Sequence, residues 1–468
     1  MVQTFDQRGI DQQSTRAVMT PSVLFDQSNT VYRMGTGIAT YARNLAAAAQ
    51  RCGFATQALL STDIKIDPRD PVLAEVQLFD ARREPSLPWL DPIRNAVAGL
   101  GRAPFGFRPA LLAQSGVVMR SASSAPALGE TFVGNRMFEA AAAHFYVYGR
   151  LANVRMPTPP ALFHATHPLP LRVAGCPNIV TIHDLVPLRL PHMTLDNKRY
   201  FFRLIQRLVA QADHVVTVSD YSRRDIMSLF NVPEDRITNT YQAVTVSPRA
   251  LARSDDEVAD EITNLFELDP GNYYLFIGAL EPKKNVSRLI DAYAASGSRR
   301  PLIVAGGKGW QNEGDLERIN DTRFSNYRVG ENTISKVKRV RRIPYLPSDQ
   351  LVTLMRGARA LLFPSLFEGF GLPVLEAMTL GTPVLTSNVT SLPEIAGDAA
   401  LVVDPFDVAA MAAAIKRLDS DVDLLDELSR RGREQARIYS MDNYVSRLAG
   451  VYRGILGGLP GGADTQAG

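Results

Sequence analysis

The residues best placed to do chemistry gather in one stretch, EGFGLPVLE, where Glu368 and Glu376 enclose a turn made of Gly369, Phe370, Gly371 and a helix start near Leu372. Gly369 and Gly371 permit positive φ and close backbone approach to a ligand, and Pro373 suits a first helical turn, where its missing N–H costs little. A helix start offers unpaired N–H groups and the positive end of a dipole, which favours a phosphate. Two carboxylates therefore flank an anion site. Upstream, EPKKN puts Lys283 and Lys284 at a second turn before a second helix. Two lysines at a turn are ordinarily solvated charges, but beside an anion site they are expected to bind a diphosphate and neutralise a leaving group. Ser391 and Glu394, in SLPE, fit a capping box, so that two adjacent helix starts converge on one anion. His183 and Asp184 end the apolar run NIVTIHD, at the carboxyl end of a strand, where open parallel sheets bind ligands. Gly35, Thr36 and Gly37 precede an alanine-rich helix; Thr40 stands where a dinucleotide fingerprint has its third glycine, so that motif is absent.

The elements that position these groups read as alternating short strands and helices. ALLF (360–363) and SVLFD (22–26) are continuous apolar runs that suit buried strands. Residues 55–60 and 73–79 read as further strands, 136–150 as a helix, 161–167, 178–184 and 383–387 as strands, and 214–226 as a strand, a cap and a helix. Residues 195–211 form an amphipathic helix with Tyr200, Phe201, Leu204, Leu208 and Val209 on one stripe, which reads as ordinary core packing. PLIVAGGKGW is a strand with a glycine turn, but no Ser or Thr follows Lys308, so it is not a nucleoside-triphosphate loop. Asp419, Asp421 and Asp423 imitate the opening of a calcium loop, yet a leucine replaces its glycine, and metal binding is rejected.

At 468 residues the chain suggests two domains. The expected division is a disordered start (1–20), an acceptor-binding domain (21–240), a nucleotide-binding domain (241–440), a final helix packing back on the first domain (441–456) and a flexible tail (457–468). Hydrophobic content of 46% with 21% charged residues excludes the disordered and membrane-spanning classes. The first residues lack the apolar core of a signal peptide, and two cysteines without paired spacing fit free thiols in a cytoplasmic protein. A net charge of +3 does not argue for nucleic acid. Between 85 and 172, however, eight arginines face three acids, interleaved with Trp89, Leu90, Phe105, Phe107 and Leu111. That mixture is expected to give a basic apolar surface that rests peripherally on the inner, anionic face of the membrane.

EGFGLPVLEAM followed by GTPV and SLPE resembles the donor-site signature of the family 4 glycosyltransferases, with Glu368 and Glu376 matching its E-x7-E pair. The resemblance implies an α/β chain of the GT-B fold, with two doubly wound Rossmann-like domains facing across a cleft, and retaining sugar transfer from a nucleotide sugar. It implies that Glu368 lies against the donor sugar, Glu376 binds the ribose, His183 stands beside the transferred sugar, and Gly35 to Ile38 border the phosphates and the acceptor. The family commonly carries an arginine where Ala279 stands, a charge that Lys283 is expected to supply. GTGIATYARNL, TIHDLVPLRLP and GALEPKKN are similar to bacterial mannosyltransferases of exopolysaccharide and O-antigen assembly. The resemblance therefore favours GDP-mannose as donor and a lipid-linked glycan as acceptor, with no cofactor and no metal required. UDP- or dTDP-sugar donors share the same framework. A sugar-nucleotide epimerase of like architecture would need another acid–base pair, and an inactive glycan-binding subunit would not retain Glu368, Glu376 and Lys284.

Overall fold

Tyr274–Ile277, Leu302–Ala305 and Ala360–Phe363 are four-residue apolar runs buried along their whole length, as strands covered by helices on both faces must be. In the computed structural model they belong to a six-stranded parallel sheet in the order Val340–Ile343, Leu302–Ala305, Tyr274–Ile277, Ala360–Phe363, Val384–Ser387, Leu401–Val403. The chain winds outward from Tyr274–Ile277 in one direction, then returns and winds outward in the other. A crevice therefore opens past the carboxyl ends of Tyr274–Ile277 and Ala360–Phe363. The structure describes residues 20–27, 37–62, 70–79, 101–112, 117, 129–329 and 334–458. Gly35, Thr36, Trp89 and Leu90 lie outside them, as does most of the two terminal segments expected to be disordered.

Among the described residues the amino-terminal sheet has eight strands, in the order Ile237–Asn239, His214–Thr217, Asn178–Thr181, Leu162–Ala165, Ser22–Asp26, Ala55–Thr62, Thr131–Asn135, Ala110–Leu112. All pair in parallel except the last, which is antiparallel to Thr131–Asn135. Its direction of winding reverses between Ser22–Asp26 and Leu162–Ala165, so a second crevice opens there. Two doubly wound sheets, each with a switch point, are the expected α/β architecture.

The strand expected over 73–79 is instead the helix Pro71–Phe79. Asp70 accepts the amide of Leu73 at 2.9 Å, and Pro71 follows it. An N-cap and a first-turn proline decide in favour of a helix where a short apolar run alone is ambiguous. Asp421, part of the imitation calcium loop, caps the helix Val422–Arg437 by accepting the amide of Leu424. Asp419 accepts from the Tyr274 hydroxyl and pairs with Arg300. Both cysteines are free thiols.

The final helix, Met441–Leu456, lies against the helix and strands that open the chain. It packs on the helix Gly37–Arg51, with the rings of Phe54 and Tyr452 edge to face at 5.5 Å. The Tyr452 hydroxyl meets His164 Nδ1 at 2.9 Å, while His164 Nε2 meets Thr181 Oγ1 at 2.9 Å. Burial pulls the His164 imidazole down to about 3, so it is neutral, with both ring nitrogens engaged. Tyr452→Phe should cost about 1–3 kcal/mol, because it strands a buried nitrogen rather than merely deleting a bond. The urea midpoint reports it; an unchanged midpoint would show that the contact holds nothing.

Candidate active site

Three chain segments build the site, and backbone contacts lock them before any ligand enters. The turn Pro282–Lys284 ends at Asn285, whose left-handed φ of 61° suits an asparagine. The Asn285 side chain donates to the carbonyls of Pro364 and Pro405 at 3.1 and 2.7 Å, and the amide of Leu366 donates to the Lys283 carbonyl at 2.7 Å. The lysine turn is thus fastened to the loop that follows Ala360–Phe363. Lys284 Nζ accordingly donates to Glu368 Oε1 at 2.6 Å and lies 5.0 Å over the Phe363 ring. Burial works against the charge on Lys283, but Glu368, Asp184 and Glu281 outweigh it and hold its pKa above the usual lysine range.

The glycine turn is held from behind. Ser391, expected to cap its helix, takes helical angles (φ −80°, ψ −14°) and makes no side-chain cap. A cap needs an extended backbone to aim its oxygen at the helix amides. Its fully buried hydroxyl instead donates toward the Glu368 and Phe370 carbonyls at 3.0 and 2.8 Å. The amide of Glu368 donates to Thr390 Oγ1 at 3.2 Å. Gly371, at φ 112°, then starts the helix Leu372–Leu380, which carries Glu376. Burial pushes the Glu376 carboxyl up to about 7.

The first domain supplies the opposite wall. A Cβ on Gly369 would fall 2.8 Å from the His183 carbonyl and 2.9 Å from an Asp184 carboxylate oxygen, so only glycine allows this approach. Ser222 Oγ donates to the His183 carbonyl at 2.8 Å. His183 Nε2 meets the Thr166 carbonyl at 2.8 Å. A carbonyl only accepts, so Nε2 carries the proton and Nδ1 is left as the acceptor. Burial brings this imidazole down to about 4, and it is neutral near pH 7. Burial likewise raises Asp184, with Lys283 pulling the other way. At the cleft's other edge Gly37 stands against Leu372, its ideal Cβ position being 3.6 Å from Leu372 Cδ1.

Lys283, Lys284, Glu368, Gly369, His183 and Asp184 therefore share one place, with Phe370, Gly371, Leu372 and Glu376 along the same turn and helix start and Gly37, of the first domain, facing Leu372. Glu394 is engaged by the first domain. Its carboxylate accepts the amides of Asp220 and Tyr221 at 2.8 and 3.1 Å, so a side chain of the second domain caps the helix Asp220–Phe230 of the first. Glu394→Gln should weaken this clasp by about 1 kcal/mol, the typical worth of a helix cap, read as a lower Tm with the donor KM nearly unchanged. A donor KM raised tenfold at unchanged Tm would return Glu394 to the binding site.

Three groups escaped the sequence reading. Asp26, fully buried at the first sheet's switch point, accepts from the Thr166 amide and hydroxyl and lies 3.1 Å from His167 Nδ1. Burial alone would lift its pKa, yet His167 and Thr166 hold it below the ordinary carboxylate range. The available signal was a polar residue closing an apolar strand, in SVLFD and in ALFHATH alike. Among the described residues, no three His, Cys, Asp or Glu converge as metal ligands, and no helix is long and apolar enough to cross a membrane.

Comparison with known proteins adds to this geometry. Residues 259–435 match the family model for "Glycosyl transferases group 1", and residues 121–247 the model for "Glycosyltransferase Family 4". The chain is 35% identical to O-antigen chain mannosyltransferase B of Escherichia coli, over 59% of this chain and 70% of that one. It is 29% identical to the serotype-specific mannosyltransferase WbdA of Escherichia coli over 57% of its own length, but spans only 32% of that longer protein. Among solved structures it is similar to sucrose-phosphate synthase from Thermosynechococcus elongatus, with a TM-score of 0.60, covering 93% of this chain and 99% of that one. At 16% identity that likeness carries the fold alone.

Proposed function

Because the chain belongs to the family 4 glycosyltransferases, we infer that it moves mannose from GDP-mannose onto a lipid-linked glycan. It is a retaining hexosyltransferase of the GT-B fold. The choice of donor and acceptor rests on its likeness to mannosyltransferases of O-antigen assembly. One observation carries the chemistry: Lys284 bonds Glu368 at 2.6 Å at a topological switch point, with the His183 carbonyl against the adjoining glycine.

Departure of a nucleoside diphosphate leaves positive charge on the sugar and negative charge on the phosphate, so transition-state binding must serve both. Lys283, Lys284 and the amides opening Leu372–Leu380 meet the departing diphosphate. Fixed cations there fill the part a metal plays elsewhere. Glu368, drawn to Lys284, faces the sugar. His183, neutral and with its Nδ1 lone pair available, accepts from a sugar hydroxyl without adding charge. Same-face attack assisted by the leaving phosphate needs no further group, whereas double displacement would use Glu368 as nucleophile. Trapping a glycosyl-enzyme by mass spectrometry separates the two.

Glu376 is the group for the ribose hydroxyls, and it accepts from them as a carboxylate. As pH falls through about 7 it takes up a proton, so kcat/KM for the donor should drop by up to tenfold per pH unit, while Glu376→Gln gives a lower and flatter profile. Stability runs the other way. A carboxyl raised in the folded state from 4.5 to about 7 stabilises fully below 4.5 and loses that contribution as pH rises through about 7. Ligand-free Tm should therefore decline across the window in which donor binding strengthens. A wild-type profile flat from pH 6 to 8 would remove Glu376 from the ribose site.

A panel of GDP-, UDP- and dTDP-sugars, scored by slow donor hydrolysis, tests the donor. Turnover of a UDP-hexose with none of GDP-mannose rejects GDP-mannose and leaves the transferase standing. Transfer to a purified lipid-linked glycan, against none to free oligosaccharides, tests the acceptor.

A further inference from the structure

The helix Lys198–Gln211 buries Leu204, Ile205, Leu208 and Val209, as its amphipathic pattern requires. Its outer face is not neutral packing. Arg199, Arg203 and Arg207 recur every fourth residue, so they stand in one row, and all three are exposed. Among the described residues no carboxylate lies within ion-pair distance of them, although arginines elsewhere in the chain, such as Arg189 and Arg253, are paired. The helix contains no acid at all. Beside this row the helix Met137–Tyr148 presents Tyr146, Val147 and Tyr148, exposed by 65%, 54% and 50%. Its one acid, Glu139, is turned away onto Ser61 at 2.6 Å. Tyr146 stacks on Tyr200 at 6.4 Å, fixing the two helices' aromatic groups side by side.

Two adjoining concavities, of ≈ 220 and ≈ 240 Å³, lie along this seam and share Phe145 and Arg203. Arg207 lines the first, and Arg199 with Tyr146 and Tyr200 the second. Neither touches the crevice that holds Lys284 and Glu368.

We propose that this face docks the protein on an anionic lipid bilayer, the arginine row on lipid phosphates and Tyr146, Val147 and Tyr148 at the headgroup level. Charge complementarity selects the occupant: an uncompensated guanidinium row matches phosphates in fork geometry. Tyrosines with one apolar and one wet end suit the boundary between tails and water. A soluble anion would use the guanidinium row but leave exposed Val147 unexplained. The reading of a lipid-linked acceptor gives this surface its use but not its evidence, so each can fail without the other.

Flotation with phosphatidylcholine vesicles, with and without phosphatidylglycerol, tests the proposal, alongside turnover on a water-soluble acceptor analogue. The wild-type full chain should float only with phosphatidylglycerol and be released by high salt, since screening shortens the reach of exposed charges. Arg199→Gln/Arg203→Gln/Arg207→Gln should weaken vesicle binding at least about a hundredfold, from roughly 1 kcal/mol per charge. The matching triple Lys variant should keep most of the binding, and both should keep wild-type Tm and soluble-acceptor turnover. Equal flotation on neutral vesicles, no flotation of the wild type, or full binding by the Gln variant overturns the docking surface. Displacement from vesicles by millimolar inorganic phosphate overturns it too, by showing a site for a soluble anion. Loss of turnover on the soluble analogue in wild type would count against the transferase reading alone.

Discussion

Glu368→Gln and Lys284→Ala should each lower kcat at least about a hundredfold, a loss typical of removing one electrostatic partner of a developing charge. The two groups share a 2.6 Å hydrogen bond, and their side chains are 13% and 15% exposed. Removing either leaves the other recessed without its hydrogen-bonded partner, so the damage reaches the partner as well. kcat should fall more than KM rises, because the demand appears only as the bond breaks. Residues acting as a unit are non-additive, so the double variant should be little worse than the worse single one. Near-normal kcat in either single variant would take that residue out of the bond-breaking step, and strict additivity would separate their roles.

The second large effect comes from a single methyl group. Gly369→Ala places a Cβ 2.8 Å from the His183 carbonyl and 3.1 Å from Asp184 Cβ. Turning the Asp184 carboxylate aside relieves one of these contacts, but the His183 carbonyl is backbone and the Asp184 Cβ is fixed to it, so the glycine turn must retreat from the first domain by a fraction of an ångström. Such a misplacement between reacting groups costs on the order of a hundredfold in kcat/KM. Tm should move by only a few degrees, since the change falls at a surface between sheets rather than inside a core. Turnover close to wild type would show that the two walls are further apart in the working enzyme than this contact implies.

The strand, glycine turn and helix carrying Glu368 and Glu376 were legible because their signals are local: an apolar run, glycines and a first-turn proline. The meeting of Lys284 with Glu368 was legible as well, because a doubly wound sheet brings its switch-point loops together whatever their side chains. Ser391 and Glu394 misled because SLPE satisfies the capping-box pattern while its backbone is already helical at Ser391. Spacing reports residue types, not the φ and ψ that aim them. Pro71–Phe79 was misread because apolar runs of that length suit either period. The Asp26, Thr166 and His167 cluster joins residues 140 apart in sequence, and no local pattern announces a partner at that range. The arginines of Lys198–Gln211 were plain in the sequence, but only the position of Met137–Tyr148 beside them distinguishes a basic face from a solvated one.

The last helix has a consequence for the order in which the protein is made. Tyr444, Leu448 and Tyr452 are fully buried, and the helix that carries them packs on Gly37–Arg51. On the ribosome the first domain is synthesised long before those residues exist. Until they emerge, Phe54 and the His164 nitrogen that meets Tyr452 have no cover, and the amino-terminal domain cannot reach its finished packing. The second domain, whose sheet is complete by Val403, is therefore able to close first, against the usual rule that domains mature from the amino terminus. A nascent chain arrested before residue 441 should yield a protease-resistant second domain joined to a first domain that is still cleaved.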